Sequence, residues 1–148
     1  MSAITIRPLQ ASDHADWRRL WTAYLIFYEV SLPEEVYRST WERLFAQGEY
    51  EPRGLVAVVD ERAVGLVHYI FYRTCWAVGN NCYLQDLYAD PELRGKGVGR
   101  ALIEAVYREA DKAGAANVYW LTQEFNQTAR QLYDRVGKLT PFIKYQRR

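Results

Sequence analysis

Tyr83-Leu84-Gln85-Asp86-Leu87-Tyr88-Ala89-Asp90-Pro91-Glu92-Leu93-Arg94-Gly95-Lys96-Gly97-Val98-Gly99-Arg100 reads as a strand, a short turn, a glycine loop and the start of a helix. Tyr, Leu and Tyr at and near alternate positions make the strand. Asp90-Pro91 ends it, because proline cannot donate to a ladder and restricts the residue before it. Gly95, Gly97 and Gly99 then follow at every second position. Glycine lets a backbone approach a ligand closely and adopt φ angles that other residues resist. A helix beginning at this loop offers unpaired N–H groups and the positive end of its dipole to an anion. Arg94, Lys96 and Arg100 add positive charge on the same turn. The local physics is that of a diphosphate site at a helix N-terminus beside a strand end.

Two common diphosphate motifs are excluded. A P-loop needs Ser or Thr after Gly-Lys, and Gly97 follows Lys96 here. The dinucleotide fingerprint needs Gly or Ala at its sixth position, and counting from Gly95 or Gly97 finds Arg100 or Leu102. Outward from the loop, the chain reads as alternating elements. Upstream, Ile4 to Leu9 is a first strand, stopped by Pro8. Ser12 or Asp13 caps a helix whose Trp17, Leu20, Trp21, Tyr24, Leu25 and Tyr28 recur at helical spacing. Ser31-Leu32-Pro33-Glu34-Glu35 opens a second helix running to about Phe45. Leu55–Val59 and Ala63–Tyr72 are strands joined by an Asp60-Glu61-Arg62 turn. Downstream, Val98, Leu102, Ala105, Val106 and Ala110 face one side of a helix that Gly114 ends. A strand follows over Asn117–Thr122, then a helix over Gln127–Val136 with Asn126 as N-cap, then a last strand over Thr140–Tyr145. The order β-α-α-β-β-β-α-β-α-β predicts one α/β domain over residues 1–148: a mixed central sheet with helices on both faces.

Composition narrows the function classes. With 148 residues, 49% hydrophobic and 25% charged, the chain fits one ordinary globular domain with a sizeable core. A formal charge of +1 gives no reason to expect nucleic-acid binding. Two histidines and two cysteines supply no metal-ligand cluster, so no metal is expected. Both cysteines read as small buried residues. No apolar run is long enough to span a membrane and no secretory signal is visible, so a soluble cytoplasmic protein with free thiols is expected. Aromatics reach 15%, which suggests aromatic-lined pockets or a large interface.

Arg94-Gly95-Lys96-Gly97-Val98-Gly99 resembles the Arg/Gln-x-x-Gly-x-Gly/Ala loop of the GNAT superfamily of N-acetyltransferases, which holds the pyrophosphate of coenzyme A. Asn126-Gln127-Thr128-Ala129-Arg130-Gln131-Leu132-Tyr133-Asp134-Arg135-Val136-Gly137 is similar to a second segment of that superfamily. The element order is similar to the GNAT fold over essentially the whole chain. Leu84–Tyr88, Val118-Tyr119-Trp120 and Pro141–Tyr145 resemble a branch containing histone- and D-amino-acid-acetylating enzymes, with polyamine acetyltransferases nearby.

The resemblance implies an acetyl-CoA-dependent acetyl transfer to a primary amine by direct attack in a ternary complex. It implies that Leu87, Tyr88, Ala89, Arg94, Gly95, Lys96, Gly97, Val98, Gly99, Arg100, Asn126, Ala129 and Tyr133 hold the cosubstrate. Tyr133 is then the general acid to the leaving thiolate, and the Leu87 N–H is the oxyanion donor. Gln85 stands where the branch usually has a glutamate thought to help deprotonate the amine; a glutamine cannot take that proton but can orient a water. Asp86, Glu29, Glu124 or bulk water are the substitutes available. Tyr24, Tyr28, Glu29 and Asp86 are the candidate acceptor-binding residues. A small amine or peptide amine is the expected substrate, no nucleic acid or membrane is expected as partner, and the branch implies a homodimer. The alternative from another class is a non-catalytic acyl-CoA-binding regulatory module, which the Gln85 position favours and Tyr133 opposes. A nucleic-acid-binding protein using Arg94, Lys96, Arg100 and Arg147 is the weaker third reading.

Overall fold

A computed structural model describes residues 2–148. Five strands form one sheet in sequence order: β1 (Thr5–Pro8), β2 (Arg53–Val59), β3 (Arg62–Tyr72), β4 (Asn81–Ala89) and β5 (Asn117–Tyr119). Neighbours are antiparallel except β4 and β5, which are parallel and joined through a crossover helix. The helices are α1 (His14–Phe27), α2 (Glu34–Leu44), α3 (Val98–Lys112) and α4 (Gln127–Val136). The sheet has a core on each face. On one, Trp17, Leu20 and Trp21 of α1 and Tyr37 of α2 pack on Val56, Ala63 and Leu66. On the other, Val98, Leu102, Ile103 and Val106 of α3 pack on Ala57, Val67, Tyr69 and Leu84, with Leu132 and Tyr133 of α4 against them. This is the mixed, doubly covered sheet that the alternation predicts. No described helix is long and apolar enough to cross a membrane.

Gly65 sets where α3 lies. A Cβ there would sit 2.8 Å from the Tyr88 carbonyl oxygen, 3.0 Å from Val98 Cγ1 and 3.1 Å from Leu102 Cδ1. The missing side chain lets the first turn of α3 close onto β3, and so fixes the loop before that helix against the end of β4.

β4 carries a bulge. Tyr69 pairs with Leu84 and His68 with Asp86, which leaves Gln85 without a partner. In a regular strand Leu84 and Asp86 would share a face. The extra residue inverts that parity. Leu84 stays in the α3 core, while Asp86 turns to the α1 face and meets His68 and Trp21.

Five expectations are corrected. Residues 138–148 form no helix or strand, although Thr140–Tyr145 alternates like one. A strand needs a neighbour to take its backbone hydrogen bonds, and Phe142, Ile143 and Tyr145 are three-quarters or more exposed. The strand expected over Asn117–Thr122 stops at Tyr119. Cys82 is buried as expected, but Cys75 is exposed in the loop before β4. The second helix begins at Glu34 with Pro33 as its N-cap, not at Ser31. The β2–β3 turn is tighter than the three residues expected: Asp60 and Glu61 alone reverse the chain, both at positive φ (50° and 63°).

Asp13 ties β1 to the start of α1. It accepts Arg7 Nη1 at 2.7 Å and Nη2 at 2.9 Å, and the Gln10 backbone N–H at 2.7 Å. The Arg7 hydrogen bonds hold its pKa below the ordinary carboxylate value against the opposing effect of burial. Asp13→Asn is expected to cost about 1–3 kcal/mol in denaturant unfolding at pH 7. The wild-type advantage is complete above the ordinary value near 4 and disappears as pH falls through the lowered folded value.

Candidate functional site

The β4–β5 ladder is short. Its last paired residues are Tyr83 and Tyr119, so the edge of β4 from Leu84 to Ala89 has no strand beside it. Beyond Tyr119 the chain leaves the sheet and passes into α4. A cleft of about 820 Å³ opens between that free edge, the glycine loop, α4 and the end of α1.

One wall is Leu87, Tyr88 and Ala89 of β4. The next is the loop: Arg94, Gly95, Gly97, then Val98, Gly99 and Arg100 at the start of α3. Gly95 and Gly97 have φ of 76° and 90°, in the left-handed region that a side chain resists. A Cβ on Gly95 would meet nothing within 4 Å, so its demand is conformational rather than steric. Gly97 is the N-cap of α3; no side chain caps this helix and its first turn holds no acid. Its first N–H groups and dipole therefore face the cleft uncompensated, with the Arg94 cation beside them. That donor set fits a diphosphate. Gly99 serves differently: a Cβ there would lie 3.2 Å from Leu132 Cδ2, where α3 and α4 approach.

The third wall is α4. Asn126, Ala129 and Tyr133 line the cleft on one helical stripe. Asn126 occupies the N-cap position, but its side chain donates to Thr122 Oγ1 at 3.2 Å instead of capping the helix. Tyr133 stands edge-on to Trp120 with ring centroids 5.5 Å apart. Burial, and secondarily the Tyr28 phenol, pushes its pKa up to about 12. The hydroxyl thus stays protonated throughout the neutral range. Tyr24, Phe27 and Tyr28, from the end of α1, close the fourth side.

Four of the expected site residues do not line this cleft. Gln85 is the exposed, bulged residue of β4. Lys96 is not part of the lining, and Glu29 is exposed on the left-handed turn (φ 57°) that ends α1. Asp86 lies behind Tyr24, only 13% exposed at its side chain. Arg100 lines the cleft, but its Nε is paired with Glu104 at 2.7 Å. Phe125, Thr128, Gln131 and Arg135 line the cleft without having been expected to. The last three recur at i, i+3 and i+7 on α4, and that spacing beside Ala129 was the available signal.

Comparison with known proteins gives a consistent answer. The family model described as "Acetyltransferase (GNAT) family" matches residues 17–137. A D-amino-acid N-acetyltransferase, HPA3, of Saccharomyces cerevisiae is 36% identical over 146 residues, covering 97% of this chain and 90% of its own. A thialysine N-epsilon-acetyltransferase of Bos taurus is 35% identical over 74 residues, half of this chain and 43% of its own. Among solved structures, the aminoglycoside N-acetyltransferase AAC(6')-Iy in complex with CoA superimposes with a TM-score of 0.84 at 20% identity, covering 100% of this chain and 96% of that one.

Gly97→Ala places a Cβ at φ 90° and is expected to cost about 1–2 kcal/mol, or roughly 3–6 °C in a thermal melt. Gly97→Asn should lose less, since asparagine enters the left-handed region more readily.

Proposed function

The chain belongs to the GNAT acetyltransferase family, and on that footing we propose that it is an amine N-acetyltransferase that moves acetyl from acetyl-CoA to a small primary amine by direct attack. One observation carries this reading: the unpaired edge of β4, the uncapped glycine-loop end of α3 and the Tyr133 hydroxyl converge on one cleft. Bound acetyl-CoA supplies an activated acetyl thioester.

The residues divide the work as follows. The glycine loop, the start of α3 and Arg94 hold the diphosphate. Asn126 and Ala129 line the path of the rest of the cosubstrate. In this reading the free β4 edge offers backbone groups to the acetyl end, and the Leu87 N–H takes the oxyanion that forms on attack. Tyr133 donates to the sulfur as it leaves. The burial that pushes this phenol to about 12 keeps its proton available to the sulfur at neutral pH. Tyr24 and Tyr28 face the acceptor side.

The acceptor is a small primary amine of the amino-acid or diamine type. The printed activity of the relative matched over nearly the whole chain, on D-amino acids, and that of the relative matched over half of it, on thialysine, support that class. Such an amine has an ordinary pKa near 10.4, so the neutral, attacking form is scarce at pH 7 and rises tenfold with each pH unit. The exposed apolar residues of the 138–148 segment and the position of β5 at the sheet edge support self-association as a homodimer.

Tyr133→Phe is expected to lower kcat by about 10²–10⁴-fold, with the acetyl-CoA dissociation constant unchanged. Thiol release over a panel of D- and L-amino acids, thialysine, ornithine and polyamines is the measurement. Wild-type turnover in the variant refutes the role, and tight acetyl-CoA binding with no release for any amine returns weight to a binding module. Tyr133 must stay protonated and its pKa is raised, so its contribution is lost only as pH climbs toward about 12. The rate should therefore rise with amine deprotonation and show no Tyr133 decline below about pH 11.

A further inference from the structure

The lining of the cleft discriminates among amines. Its ionised side chains are Arg94, Arg100 and Arg135, and no aspartate or glutamate lines it among the described residues. Arg94 serves the diphosphate, and Arg100 is offset by Glu104. The acids nearest the cleft are engaged or lie outside it. Asp86 Oδ2 accepts from His68 Nδ1 at 2.8 Å and from Trp21 Nε1 at 3.2 Å. Trp17 Nε1 donates to the other nitrogen of that imidazole, at 3.0 Å. This buried polar chain commits the Asp86 carboxylate to the packing under α1. Glu34, at the start of α2, is paired with Arg18. Glu29 and Glu124 are exposed and outside the lining.

The wall left for the acceptor is aromatic. The glycine loop and the first turn of α3 occupy one end of the cleft, and Tyr133 and the free β4 edge mark the position of the acetyl group. Tyr24, Phe27 and Tyr28 stand at i, i+3 and i+4 at the end of α1, so they share one helical face. The Tyr24 and Tyr28 rings lie 5.1 Å apart, and Phe27 meets Tyr28 edge to face at 5.0 Å. Phe27 lines the cleft and is nonetheless 49% exposed. A lone exposed apolar residue is ordinary. A continuous run of three rings that ends exposed inside a ligand-sized cleft is a surface for a ligand to cover.

Two kinds of amine make opposite demands on such a wall. A polyamine carries one or more ammonium groups besides the nitrogen that reacts. Each has to find a carboxylate or remain in water, and this cleft supplies no carboxylate. An amine with a single ionisable nitrogen has no second charge to place. Where the rest of that molecule is aromatic, it leaves water against Phe27 and Tyr28 and makes the edge contacts these rings already make with each other. Before it loses its proton, its one ammonium is attracted to the tyrosine faces. A carboxylate on the same molecule meets no acid in the lining that would repel it.

We propose that the acceptor is a primary amine with one ionisable nitrogen and an aromatic body, an aromatic amino acid or an arylalkylamine, and that Phe27 is the residue that selects it over polyamines. This rests on the acetyl-transfer reading and narrows the acceptor within it.

The test measures kcat/KM with the full chain at saturating acetyl-CoA, on phenethylamine, D- and L-phenylalanine, D- and L-alanine, putrescine and spermidine. The best aromatic amine is expected to exceed both alanine and spermidine by about 10-fold or more. Phenethylamine against phenylalanine tells whether the acceptor carries a carboxylate, and a lead for either supports the proposal. Phe27→Ala is expected to lower the aromatic-to-alanine ratio of kcat/KM about 5- to 10-fold. Phe27→Glu supplies the missing carboxylate, and is expected to raise the spermidine-to-phenethylamine ratio about 10-fold or more. The wild-type panel decides the acceptor class whether or not either variant folds. A polyamine as the best substrate overturns the proposal, as does an aromatic amine no better than alanine. So does a folded Phe27→Ala that keeps the wild-type aromatic-to-alanine ratio. Each of these leaves acetyl transfer standing, whereas a wild type that turns over no amine in either panel removes the transfer reading and this proposal together.

Discussion

The structure depends on the parting of two parallel strands. β4 and β5 pair from Asn81–Asn117 to Tyr83–Tyr119 and then separate. A half-buried strand edge with unpaired backbone groups is costly unless something takes its hydrogen bonds. Here that edge faces a cleft large enough for a ligand, and the ligand can supply the partners that β5 withdraws. The rest follows from holding the strands apart. Gly137 lets Trp120 in closely, since a Cβ there would lie 2.9 Å from the indole. Trp120 in turn packs against Tyr107 of α3 and Tyr133 of α4. The aromatic wedge fills the space that a longer β5 would occupy, and it sets Tyr133 at the cleft.

The same region makes α3 both a core element and a wall of the cleft. Its buried stripe, from Val98 to Ala110, fixes it against the sheet. Its uncapped end then has no freedom to move toward or away from β4, because Gly65 lets Val98 and Leu102 sit directly on β3. Packing deep in the core therefore determines the distance between the glycine loop and the strand edge. A site built on rigid elements in this way is preorganised, and binding energy is not consumed in ordering it.

The parts legible in the sequence are those whose signal is local. The glycine loop announces itself by spacing and charge within seven residues, and in the structure it forms one wall of the cleft. The helices over 14–27, 98–112 and 127–136 follow from periodic apolar residues. What sequence reading misplaced depends on distant partners. Thr140–Tyr145 alternates like a strand, yet alternation says nothing about whether a neighbouring strand is present. Gln85 sits where a family pattern suggests catalysis, but a one-residue bulge turns the strand over and leaves Asp86 facing inward. His68 gave no signal at all. Its partners are 51 and 18 residues away, and a lone histidine in an apolar strand is ordinarily a satisfied core residue.

That chain of buried polar groups also carries a physical argument about selection for function. An apolar trio at positions 17, 68 and 86 would pack the α1 face without desolvating a charge, and such replacements are often neutral or stabilising. The arrangement persists only because it is nearly complete: Asp86 receives an imidazole and an indole N–H on one oxygen, and His68 uses both nitrogens. No buried side-chain polar atom among the described residues is left without a partner. Both N–H groups fall on Asp86 Oδ2, so Oδ1 is the open position of the arrangement. A buried polar network satisfied at the imidazole and at both indoles rigidifies this face and specifies one packing of α1 against β3 and β4.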